Sequence, residues 1–243
     1  MTESGGVSIK VVIATPAPEV WAALRDPQLI RRWHGWEDDG LDAEIEQIYG
    51  AAATAEESGT RLVLAGGDTV DLATVPGGTR LRLRRAPLGS NPEWDAYYDD
   101  ITEGWTSFLQ QLRFALERHP DSDRCTLQLA ATPGTAGGIA ERLGLADLRD
   151  RDAGTRYAAT MAPAEQATGQ VWFVSERQLG ITVDGYGDGL LILAEEPVAP
   201  HRPDGGSMVL LTAYTGPDDF AAISERWNGW WSDEFGTAKG DNG

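Results

Sequence analysis

The chain has 243 residues, 41% of them hydrophobic, enough for one large core or two of ordinary size. Its formal net charge of −18 repels phosphate backbones and anionic lipid headgroups, which argues against nucleic-acid and membrane-surface binding. The single cysteine, Cys125, excludes an internal disulfide and fits a reduced, cytoplasmic setting.

In chain order, residues 1–6 read as a loose start and 7–13 alternate as a strand. No apolar run follows a basic start, and none is long enough to span a bilayer. Thr15-Pro16-Ala17-Pro18-Glu19 opens a helix in which Thr15 can cap and Val20, Trp21 and Leu24 form the apolar face. Asp26-Pro27 breaks and restarts the chain. Leu29, Ile30 and Trp33 then give a short helical face that Gly35 ends. Strands are expected at 43–49, 61–65, 69–75 and 79–85, joined by turn signals such as Gly66-Gly67-Asp68 and Pro76-Gly77-Gly78. Short links imply antiparallel hairpins. Arg80, Arg82 and Arg84 share one face, Leu81 and Leu83 the other, so the arginines are expected on a solvated outer surface.

Residues 99–118 give the clearest element. Ile101, Trp105, Phe108, Leu109, Leu112, Ala115 and Leu116 recur at helical spacing, with Gln110, Arg113 and Glu117 opposite. Asp100 or Thr102 can cap the start, and His119-Pro120 stops the helix. This broad apolar face needs a curved apolar partner, expected to be the sheet made by the residues before it, with a cavity between.

The order then repeats: a strand at 124–130, Thr132-Pro133-Gly134-Thr135 echoing Thr15-Pro16, and a helical stretch at 139–148. Strands follow at 156–161, 169–174, 179–183, 189–194 and 208–214, and a last helix at 220–231 carries Ile223, Trp227, Trp230 and Trp231, with Asp218 or Asp219 as cap. The reading is two domains, 1–120 and 121–243, related as a diverged tandem repeat.

Few motifs carry chemistry. His34, His119 and His201 lie far apart and lack partners at metal-ligand spacing, so no metal site is read. Gly134–138 and Gly185–189 lack the lysine and hydroxyl of a phosphate loop. The segment 184–189 lacks the terminal glutamate of a calcium loop. Cys125, in an alternating run, reads as a buried structural thiol. The unusual feature is nine tryptophans, whose N–H donors are hard to satisfy in a filled core and easier to satisfy at a pocket rim.

The opening residues 9–36, with Thr15-Pro16-Ala17-Pro18-Glu19-Val20-Trp21 and Trp33-His34-Gly35-Trp36, resemble START-like (SRPBCC) proteins, in the branch related to the activator of Hsp90 ATPase. Residues 77–83 look like that branch's last strand, and Tyr97-Tyr98-Asp99 through Leu112 like its closing helix. The resemblance covers about residues 7–118 and implies an α+β helix-grip fold, a bent antiparallel sheet wrapped around a long C-terminal helix, here twice in tandem. It implies an apolar cavity for a small hydrophobic or amphipathic molecule, with no cofactor. Trp105, Phe108, Leu109 and Leu112 would form its floor, Trp33 and Trp36 its mouth, and Tyr98 would hydrogen-bond the ligand. Two alternatives stay open. One is a polyketide cyclase/dehydratase-like enzyme using Glu44, Glu46 or His34. The other is an Hsp90-type co-chaperone or other interaction module, or a homodimer, using the Arg80, Arg82 and Arg84 face.

Overall fold

A computed structural model of the protein describes residues 7–56, 58–90, 92–131, 138–163 and 165–236. The first six residues and the Thr132–Thr135 echo, with most of the 134–138 glycine run, lie outside them. The chain divides into two units, Met1–Ser122 and Asp123–Gly243.

The first unit runs β1 (Ser8–Ile13), α1 (Ala17–Ala23), α2 (Pro27–Ile30), α3 (Leu41–Tyr49), β2 (Thr54–Ala55), β3 (Arg61–Val63), β4 (Thr69–Val75), β5 (Gly78–Arg84) and α4 (Tyr98–Arg118). The strands form one antiparallel sheet in the order β1-β5-β4-β3-β2. Val11 stands opposite Leu81, and Leu81 opposite Leu72, so the apolar residues of three strands share one face. That face packs with Val20, Leu24, Ile30 and Trp33 of the inserted helical segment and with Trp105, Leu109, Leu112 and Ala115 of α4. The other face carries Lys10, Arg80, Arg82 and Arg84; Asp71 pairs with Arg84 and lies 3.7 Å from Arg61.

The second unit runs β6 (Cys125–Ala131), α5 (Ile139–Arg142), β7 (Arg156–Met161), β8 (Glu165–Val174), β9 (Gln178–Val183), β10 (Gly189–Glu196), β11 (Gly206–Ala213) and α6 (Pro217–Phe235). Its sheet order is β6-β11-β10-β9-β8-β7, antiparallel throughout. Ile223, Trp227 and Trp231 of α6 join Leu129, Leu191 and Val209 in its core. In both units the first strand pairs with the last, helix is inserted after the first strand, and the closing helix lies against the first strand. The chain is therefore α+β, with a helix-grip arrangement of antiparallel sheet and closing helix. Among the described residues no helix is long and apolar enough to cross a membrane.

Several local expectations are corrected. Residues 43–49 belong to helix α3, not a strand: Leu41, Ile45 and Tyr49 are buried while Ala43 and Gln47, which a strand would place on the same face, are exposed. Thr15, Asp100, Thr102, Asp218 and Asp219 are not the N-caps; these positions fall to Pro16, Tyr97 and Gly216, none with a side-chain cap bond. Asp26 does cap, accepting from the Gln28 amide at 2.9 Å. Cys125 is only half-buried on β6.

Candidate functional site

A cavity of about 440 Å³ opens in the first unit at the N-terminal end of α4. Four stretches wall it. Helix α3 contributes Glu44, Gln47 and Ile48, which its periodicity places together at positions i, i+3 and i+4. The turn after β3 contributes Leu64 to Gly66 and Asp68, closed by Leu64 and Asp68 backbone pairing at 2.8 Å. The end of β5 leads into Arg85, Ala86 and Pro87. The approach to α4 and its first turns supply Trp94, Asp95, Tyr98, Ile101 and Trp105.

Arg85 is the cation on this wall. Its position has the same parity as Leu81 and Leu83, so β5 directs it inward, away from the outward arginines. A guanidinium there needs a partner. Asp68 provides it, 3.0 Å from Nε, with side-chain exposures of 7% and 11%. Nη1 donates to the Tyr98 carbonyl at 3.0 Å and to Thr102 Oγ1 at 2.6 Å, and the guanidinium sits 4.4 Å from the Tyr98 ring centroid. Asp68 Oδ1 also accepts from the Ala86 amide at 2.7 Å. The pair thus pins the end of β5 to the first turn of α4.

Glu44 stands on the cavity wall with its side chain 46% exposed. Its Oε1 lies 3.2 Å from Nε2 of His34, whose side chain has no solvent exposure. The other imidazole nitrogen, Nδ1, is 3.0 Å from the Tyr49 hydroxyl. An ionised carboxylate only accepts, so Nε2 carries the proton that faces Glu44; in the neutral ring Nδ1 accepts from the Tyr49 O–H. The hydrogen bond from His34, and its charge once the ring is protonated, hold the Glu44 carboxyl below its ordinary range, against the opposing effect of burial. Burial, then the charges of Glu44 and Asp68, push the Tyr49 phenol well above its ordinary value, so it stays protonated. Around the imidazole are Phe108 at 4.7 Å, Tyr49 at 5.2 Å, Trp33 at 5.5 Å and Trp105 at 5.8 Å between ring centroids. Gly35, at φ +59°, turns the chain directly after His34, and its carbonyl accepts from Gln111 Nε2 of α4 at 3.1 Å.

Of the residues singled out in the sequence, Tyr98 and Trp105 line the cavity. Trp33, Leu109 and Leu112 are buried in the packed core instead, and Phe108 packs on it. Trp33 needs no pocket rim because the Ala23 carbonyl accepts its Nε1–H at 2.9 Å. Trp36 is half-buried, its ring 6.3 Å from that of Phe108. Among the enzyme candidates, Glu44 is on the wall, His34 directly behind it, and Glu46 is exposed away from the Glu44, Gln47 and Ile48 side of α3. Sequence reasoning missed Ile48, Asp68, Arg85, Trp94 and Ile101. For Arg85 the signal was present, an arginine in step with two inward leucines.

No protein-family model and no curated protein matches the chain. Solved structures do. DynU16, a protein of the dynemicin biosynthetic locus, is 16% identical over 93% of this chain and 94% of its own, with a TM-score of 0.32. The AHSA1-like protein from Aeromonas hydrophila is 24% identical over 46% of this chain and 92% of its own, with a TM-score of 0.32. The di-domain ARO/CYC StfQ from the steffimycin biosynthetic pathway is 11% identical over 91% of each chain, with a TM-score of 0.32.

Proposed function

We propose that the first unit binds a small amphipathic organic molecule in the cavity between α3, the end of β5 and the start of α4. The observation that carries this reading is the make-up of the wall. Ile48, Leu64, Ile101 and Trp105 offer apolar surface, while Glu44 and Arg85 are polar groups fixed from behind by His34 and Asp68. Pockets for small molecules combine an apolar lining with a few placed polar groups in this way, and 440 Å³ lies within their usual size. The shared strand order supports the further reading that the units are diverged tandem copies of a START-like fold.

The test is to fill the space. Naphthylmethanol titrated into the full chain is expected to change tryptophan fluorescence through Trp94 and Trp105 and to raise the melting temperature. Ile48→Trp, which places bulk into the cavity from the half-buried face of α3, is expected to abolish both responses. Unchanged binding by a folded Ile48→Trp protein would remove the cavity as the seat.

A second reading, acid–base catalysis by Glu44, draws on its contact with the buried His34. The lowered carboxyl favours holding a ligand over abstracting protons, because a weaker base has less driving force for proton transfer.

A further inference from the structure

The charges on the cavity wall do not cancel. Glu44, Asp68 and Asp95 line it against one cation, Arg85, and Arg85 is committed to Asp68. The Asp95 carboxylate is held by the Gly89 amide, 3.0 Å from each oxygen, a contact that orients it without neutralising it. Glu44 has His34 behind Oε1 and remains partly open to the cavity. Trp94 and Trp105 share this space, the Tyr98 ring being already taken by Arg85, and aromatic faces attract cations as carboxylates do.

Resting on the binding function above, we infer that Glu44 is the specificity-determining residue of the cavity and that the ligand is a neutral or cationic aromatic amphiphile with a hydrogen-bond donor, an ammonium or a hydroxyl, seated on that carboxylate. His34 and Tyr49 are positioning residues. They lock the acceptor on the wall from the fully enclosed side, so the side chain is spared the entropy loss of ordering when a ligand arrives. A carboxylate ligand would have to enter beside Glu44 and Asp95 and compete with Asp68 for Arg85.

Three probes with one ring system separate the possibilities: naphthylmethylammonium, naphthylmethanol and naphthoate, titrated against the full chain at neutral pH by calorimetry. The ammonium is expected to bind about tenfold or more tighter than the carboxylate, with the alcohol between them. Glu44→Gln keeps an oxygen that accepts from His34, so folding is preserved and its melting temperature is the check. In that variant the gap is expected to shrink to roughly threefold or less. Equal binding of all three probes, or an undiminished gap in Glu44→Gln, would overturn the assignment while leaving the cavity as a binding site. Tightest binding by naphthoate would overturn it too and move the seat to Arg85. Binding of none would sink this inference and the binding function together.

Discussion

His34 Nε2 lies 3.2 Å from Glu44 Oε1, so a side chain that never meets solvent sets the direction of a carboxylate that does. With Tyr49 on the far nitrogen, the three residues run from phenol through imidazole to carboxylate, from the interior to the cavity wall.

Replacing His34 with Phe preserves a ring in the aromatic cluster but removes both nitrogens. The buried Tyr49 hydroxyl loses its partner, at a cost of about 1–3 kcal/mol. The Glu44 carboxyl, no longer held down by His34 and still raised by its burial, is expected to titrate higher than in wild type, which carboxyl NMR would detect. A lowered folded-state value gives stability that is present above the unfolded value of 4.5 and lost as pH falls through the folded one. The stability gap between wild type and His34→Phe should therefore narrow on the acid limb, to the part the Tyr49 hydroxyl accounts for, as followed by urea unfolding.

Arg85→Met leaves Asp68 charged, nearly buried and without its counter-ion. The expected loss is about 3–5 kcal/mol. Adding Asp68→Asn removes the stranded charge but keeps an oxygen for the Ala86 amide, so the double variant should unfold at higher denaturant than Arg85→Met alone. If the two unfold alike, the pair is not what holds β5 to α4.

Alkali should unfold the protein in a defined window. Burial raises the phenols of Tyr49, Tyr157, Tyr186 and Tyr214, the last from 10.0 to about 12. Unfolded phenols ionise first. Stability should hold below the ordinary tyrosine value and be lost as pH rises through the folded values. The share of phenolate absorbance that comes from these four tyrosines should therefore appear together with the change in circular dichroism.

Gly180 on β9 lies beneath the Phe173 ring, which a Cβ at that position would strike. Gly180→Ala should cost about 1–3 kcal/mol by displacing the ring, and the loss should be reduced when Phe173 is shortened to Leu. Gly66→Ala, where a Cβ would meet nothing within 4 Å, is the matched control, expected to be near neutral. Thermal melts of the three variants decide it.

How much could be read in advance depended on whether one periodicity dominated. Strands 69–75 and 156–161 alternate cleanly and lie where expected, and the long helix was displaced by only one residue, to Tyr98. Segment 43–49 mixes acidic and apolar residues in a way that suits either period; what settles it is Ala43 and Gln47, exposed where a strand would bury them beside Ile45 and Tyr49. The two-residue β2 is too short to leave a pattern. At the site, Trp105 was legible from the apolar face of the helix, and Tyr98 only through the family resemblance. Whether a tryptophan lines a space or fills a core depends on where its N–H finds an acceptor. For Trp33 that acceptor is a backbone oxygen ten residues away, which no side-chain pattern records.

Helix α3 divides its labour around its axis. Leu41, Ile45 and Tyr49 anchor it, while Glu44, Gln47 and Ile48 face the cavity. Under the binding function proposed above, selectivity can be rewritten at these three positions without disturbing the anchoring set. The segment is a replaceable panel, the natural place for divergence or redesign to retune selectivity while the scaffold stays as it is.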